Sequence, residues 1–128
     1  MPDKPLGKAI VLCSRTKQDP ATGMYSLIDC YNTLQVPSLP SDQQINVYVA
    51  VSGSVGRFNI DVRLSSGGSA SSHVIGNHPC DLKGLDHTCD FVVTAGLRFT
   101  KEGVYTFEAY CGDKMLLSKT LEVVVSRN

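Results

Sequence analysis

The sequence has no tryptophan and no excess of either charge: 12 basic residues balance 12 acidic ones over 128 positions. The missing tryptophan excludes the Cys-Trp-Cys core of antibody domains. The neutral balance removes the electrostatic footprint that nucleic-acid binding requires, and the polybasic patch that would hold the chain on an anionic membrane. No nucleic acid and no membrane is therefore expected as a partner. No apolar stretch reaches the roughly 18 residues of a membrane span, and helical periodicity is nearly absent. The apolar run at 9–13 is too short for the core of a signal peptide, and no small-residue cleavage site follows it. A cytoplasmic location is expected, with the five cysteines reduced.

What the sequence does contain is alternation. In 57–65, Phe58, Ile60, Val62 and Leu64 point one way while Arg57, Asn59, Asp61, Arg63 and Ser65 point the other, as a half-buried strand requires. In 44–52, Ile45, Val47, Val49 and Val51 repeat the pattern. The short link Ser52-Gly-Ser-Val-Gly56 reads as a hairpin loop between the two. A second hairpin joins 103–111 to 114–125 through Gly112-Asp113. Alternation fails at 115–119, where a bulge is expected. Residues 8–14 form an unbroken apolar run, expected of a strand covered on both faces. Residues 24–36 read as one strand ended by Pro37 and Pro40. Residues 89–94 and 97–99 have strand character. Between them and the central strands, 65–88 opens on a Ser/Gly-rich stretch and reads as a long loop region carrying a short strand at 73–76.

Seven to eight short strands with turn signals between them define one all-β domain over 1–128, with 1–7 as a flexible tail. The run Lys101-Glu-Gly-Val-Tyr-Thr-Phe107 is similar to the tyrosine corner of immunoglobulin-like domains, in which the hydroxyl ties the corner to upstream backbone. The expected fold is an immunoglobulin-like antiparallel β-sandwich.

A second resemblance covers most of the chain. Met24-Tyr-Ser-Leu-Ile-Asp-Cys30 comes first, then Val36-Pro-Ser-Leu-Pro40 and a strand at 45–51. Glu102-Gly-Val-Tyr-Thr-Phe107, Gly112-Asp-Lys-Met-Leu116 and a valine-rich end close it. In this order the motifs resemble a family of small prokaryotic β-sandwich proteins of unknown function. The resemblance implies the fold and the cytoplasmic setting and assigns no site.

The sharpest chemical feature is a pair of His-x-Cys motifs, His78-Pro-Cys80 and His87-Thr-Cys89. On a strand, residues two apart share a face, so a hairpin of the two segments would gather all four side chains. Two imidazoles and two thiolates suit tetrahedral zinc in a closed, structural site. The spacing is not one of the common zinc patterns. The same residues also read as a surface loop with unrelated histidines and thiols, as a Cys80–Cys89 disulfide, or as a catalytic cysteine assisted by histidine and Asp86 or Asp90. No nucleophile signature surrounds either cysteine, and no phosphate loop or carboxylate pair occurs. Cys13, Cys30 and Cys111 fall on inferred inward faces and read as small core residues.

Tyr25, Tyr31, Tyr48 and Tyr110 fall on outward positions, and Tyr105 on an inward one. In an immunoglobulin-like order the strands of Tyr48 and Tyr110 would be neighbours, giving a flat amphipathic patch with Asn46, Ala50 and Thr106. Tyrosine is enriched at interfaces, although cross-strand pairing alone explains such residues. The leading expectation is a non-enzymatic protein-interaction or structural module that binds a protein partner or self-associates, with no cofactor. A zinc-stabilised sandwich is the first alternative. A module binding a small ligand or glycan through its end loops is the second.

Overall fold

A computed structural model describes residues 4–66 and 72–126. Nine strands account for its regular structure: β1 (Leu6–Gln18), β2 (Tyr25–Cys30), β3 (Thr33–Val36), β4 (Ser41–Ser52), β5 (Gly56–Ser66), β6 (His73–Leu82), β7 (Cys89–Phe99), β8 (Gly103–Cys111) and β9 (Lys114–Val125). They form two sheets, ordered β2-β1-β4-β7 and β3-β9-β8-β5-β6. No helix among the described residues is long and apolar enough to cross a membrane.

The alternating residues build the interior. Ile45, Val47, Val49 and Val51 of β4 face Ile60, Val62 and Leu64 of β5, and all seven are buried. Phe91, Phe99 and Phe107 are the largest fully buried side chains. Each such burial contributes roughly 1.5–3 kcal/mol relative to exposure, which is why period-two sequence outweighs local irregularities. Leu12 and Cys13 are both fully buried although they point to opposite faces of β1, so both faces are covered at that point, as the unbroken apolar run requires. The tyrosine corner forms: the Tyr105 hydroxyl donates to the Lys101 carbonyl at 2.8 Å, and its ring meets Phe99 edge-on at 4.9 Å. The Gly112-Asp113 turn joins β8 to β9 with Gly112 at φ 63. The expected bulge lies at Leu116, since Ala109 pairs with Leu117 while Tyr110 pairs with Met115.

Several expectations need correction. The segment 24–36 is two strands, not one. Its first part pairs antiparallel with β1 and its second pairs parallel with β9, so the sandwich is not wholly antiparallel. The chain changes sheets just after Asp29, whose φ of 56 breaks the extended path. The β4–β5 link is not a hairpin loop either: the two strands lie in different sheets, and the link crosses from one layer to the other. Residues 89–99 form one continuous strand. The strand β1 begins at Leu6, inside the segment read as a tail.

The largest departure concerns 65–88. Residues 73–82 are a full strand paired with β5 from Leu64↔His73 to Gly56↔Leu82. Its inward residues are Gly76, His78, Cys80 and Leu82, a set too poor in aliphatics to reveal a strand by pattern. Pro79 is tolerated because β6 is the outer strand of its sheet, where a missing N–H breaks no second ladder. Residues 67–71, the centre of the Ser/Gly stretch, lie outside the described residues.

Candidate metal centre

At one open side of the sandwich, β6 and β7 form the outer strands of opposite sheets and face each other. His78 and Cys80 are two apart on the inner face of β6, and Cys89 opens β7 from across the gap. One potential ligand atom from each of the three lies within 4.8 Å of the others. For zinc with Zn–S near 2.3 Å and Zn–N near 2.0 Å, tetrahedral ligand atoms sit about 3.5–3.8 Å apart. Each separation in the cluster thus needs to contract by at most about 1.0–1.3 Å.

The environment of each group is specific. The His78 ring stacks on Phe91 at 4.7 Å with the planes 4° apart. This fixes the imidazole against the core. Its Nδ1 is buried and has no hydrogen-bond partner among the described residues. A buried polar atom normally finds a partner, and leaving one unpaired costs about 1–3 kcal/mol. An ion bound through Nδ1 would remove that cost. Cys80 is 1% exposed. Burial, then the hydrogen bond and charge of Cys89, push its thiol well above its ordinary value. A nucleophilic cysteine needs the opposite shift, whereas a metal deprotonates a coordinating thiol outright.

The fourth residue expected here, His87, is not in the cluster. The strand β7 begins at Cys89, so the two-residue rule does not reach back to His87, which sits exposed in the loop. Its Nδ1 accepts from the Lys83 amide at 3.2 Å, and its own amide donates to the Gly84 carbonyl at 3.0 Å. Asp90 is also turned away: on the outer face its carboxylate accepts the Tyr48 hydroxyl at 2.8 Å. The arrangement is therefore one histidine and two cysteines, not two of each. All five cysteines are free. Cys13 and Cys111 are buried as expected, but Cys30 is exposed on the outer strand β2.

The tyrosines do not make a single patch. Tyr48 is on β4 and Tyr110 on β8, strands of different sheets. Tyr48 meets Tyr25 edge-on at 5.9 Å across β1, while Tyr110 lies under the Arg63 guanidinium at 3.9 Å. Tyr31 packs against the core, and burial raises its phenol above the usual range. Asn46 is committed internally, donating to the Ser14 carbonyl at 2.8 Å and accepting from Thr94 at 2.7 Å. At the end of the sandwich near the tyrosine corner, a cleft of about 700 Å³ is lined by Ser65, Ser66, His73, Arg98, Lys101 and Tyr105 among others. None of the candidate site residues reaches it.

These features define a small β-sandwich domain with a soft-ligand cluster at its open side. The chain belongs to a family of unknown function (DUF6941), whose model matches residues 8–124. No protein of curated function matches the sequence. Among solved structures, a β-glucosidase from Kluyveromyces marxianus is similar with a TM-score of 0.53 at 16% identity, covering 73% of this chain and 15% of that one. A β-glucosidase from Erythrobacter marinus is similar with a TM-score of 0.51 at 10% identity, covering 73% and 14%. The chain spans only about one-seventh of each enzyme's length, and the likeness is one of fold alone.

Proposed function

We propose that this chain is a non-enzymatic sandwich module whose open side is clipped by zinc held by His78, Cys80 and Cys89. The observation that carries the reading is the meeting of three soft ligand groups, one of them an imidazole whose buried Nδ1 has no hydrogen-bond partner among the described residues. Thiolate and imidazole select zinc over hard cations. The ion would act structurally, joining the outer strands of two sheets that share no backbone ladder there. With free zinc at about 100 times Kd, such a clip stabilises the fold by about 2.7 kcal/mol. A water or an external ligand would complete the tetrahedron.

The strand order supports the immunoglobulin-like reading. The neighbours β9-β8-β5 in one sheet and β4-β7 in the other correspond to the G-F-C and B-E neighbours of that architecture. Five free thiols fit a reducing, cytoplasmic setting. The sheet faces that carry Tyr25, Tyr48 and Tyr110 remain available to a protein partner, as two separate surfaces.

The test is native mass spectrometry of protein purified without added metal. One zinc per chain is expected, and it should be lost in Cys89→Ser and His78→Ala while the β-sheet circular dichroism is retained. Protein that carries no zinc and takes up none at micromolar concentration refutes the reading.

A further inference from the structure

Resting on the metal reading, we infer that Cys80 and Cys89 are also a peroxide-sensitive redox pair, whose oxidation to a disulfide dismantles the site and releases the ion. The sulfurs belong to a cluster no wider than 4.8 Å. They sit on facing outer strands joined through residues 83–88, a short connection that keeps them together. Disulfide formation therefore requires side-chain rotation and a small approach of two strands, not a refolding.

The two cysteines differ in a way that assigns their roles. Cys89 is half-buried and Cys80 is buried, so a peroxide reaches Cys89 first. In the zinc-bound state both sulfurs are thiolates, the nucleophilic form. The Cys89 thiolate attacks the terminal hydroxyl oxygen of ROOH; the S–O bond forms as the O–O bond breaks, the oxygen keeps its proton as a sulfenic acid, and RO⁻ is expelled. The Cys80 thiolate then attacks the Cys89 sulfur and expels hydroxide as the S–S bond forms. Two protons taken from solvent convert the expelled anions to ROH and water. The two sulfurs together lose two electrons, and the peroxide gains them. Zinc is left with His78 as its one protein ligand and dissociates.

A competing pair exists on the other side of the molecule. Cys13 and Cys30 are directly opposite across β1 and β2, with Cys30 exposed. The inference is specific to Cys80 and Cys89, so disulfide mapping decides between the pairs.

The experiment treats the full chain with hydrogen peroxide in zinc-loaded and chelator-stripped forms. It follows released zinc with a chromogenic chelator, intact mass, and the disulfide map. Loss of two hydrogens in mass, a Cys80–Cys89 linkage, stoichiometric zinc release from the loaded form and reversal by dithiothreitol are expected. Cys89→Ser should lose the linkage. A Cys13–Cys30 linkage, or conversion of Cys89 to a sulfinic acid without a linkage, overturns the inference in either form. A chain that binds no zinc defeats the metal reading instead; the stripped form still reports whether the pair closes.

Discussion

Gly76 controls the gap between β6 and β7. It lies on the inner face of β6, two residues before His78. A Cβ placed there would meet Val93 Cγ1 at 2.5 Å, Cγ2 at 3.1 Å and Cβ at 3.4 Å. Ordinary carbon contacts lie at about 3.5–4.0 Å, so Gly76→Ala creates a deficit of about 1 Å or more. Rotating Val93 cannot clear it, because both methyls and the atom that bears them are involved. Val93 is also 8% exposed and packed into the core. The strand β6 must retreat from β7, and overpacking of this kind costs about 1–3 kcal/mol. His78 and Cys80 move with it, away from Phe91 and Cys89. Each 1.4 kcal/mol of this strain that zinc must reverse weakens its binding about tenfold. Val93→Ala removes both methyls and restores the space. Urea unfolding of the two single variants and the double variant, with and without zinc, gives the coupling. The double variant should be less destabilised than the sum of the singles by about 0.5–3 kcal/mol. Additivity within about 0.5 kcal/mol, or a Gly76→Ala protein as stable as the parent with unchanged zinc affinity, refutes the close approach of the two strands.

Tyr105→Phe removes one hydrogen bond to the Lys101 carbonyl and should lower unfolding free energy by about 0.5–1.5 kcal/mol at unchanged denaturant slope; no change in midpoint argues against a stabilising corner. The Tyr48 phenol is pushed up to about 12 by burial and then by the Asp90 carboxylate, so one of the five tyrosines should form phenolate last on an absorbance titration, and Asp90→Asn should bring it forward. The folded state holds this proton more tightly than the unfolded chain, whose phenol titrates near 10. Its contribution to stability is therefore full below about pH 10 and lost as pH rises toward 12; stability rising over that window contradicts the Tyr48–Asp90 contact. His87→Ala should leave zinc stoichiometry and affinity within about twofold of the parent, because one ring nitrogen already serves the loop and a Kd change of that size is about 0.4 kcal/mol; loss of zinc would place His87 among the ligands.

The strands legible in the sequence were those whose inward residues are aliphatic or aromatic. The Ile45-to-Val51 series, the Phe58-to-Leu64 series and the Tyr105-to-Cys111 series each carry their own burial signal. The irregularity at Leu116 could be read because it interrupts such a series. The strand β6 was illegible because its inward face carries a glycine, a histidine and a cysteine. Those residue types are there for close approach and side-chain chemistry, not for hydrophobic burial. Which strands share a sheet is a non-local property. The Ser52–Gly56 link looks the same in sequence whether it folds back or crosses layers, and the break after Asp29 carries no proline or glycine. For the site, two-residue spacing correctly joined His78 to Cys80. It failed for His87 and Cys89 because the strand starts between them. The convergence itself came from two sheets facing each other, not from the hairpin that spacing implied.

X-ray absorption at the zinc edge of the loaded protein measures the proposed clip directly. Two sulfur ligands near about 2.3 Å and at least one imidazole nitrogen near about 2.0–2.1 Å are expected, and the zinc signal itself should be absent from Cys89→Ser. A first shell made only of nitrogen and oxygen, or a spectrum unchanged by Cys89→Ser, would contradict a site at His78, Cys80 and Cys89.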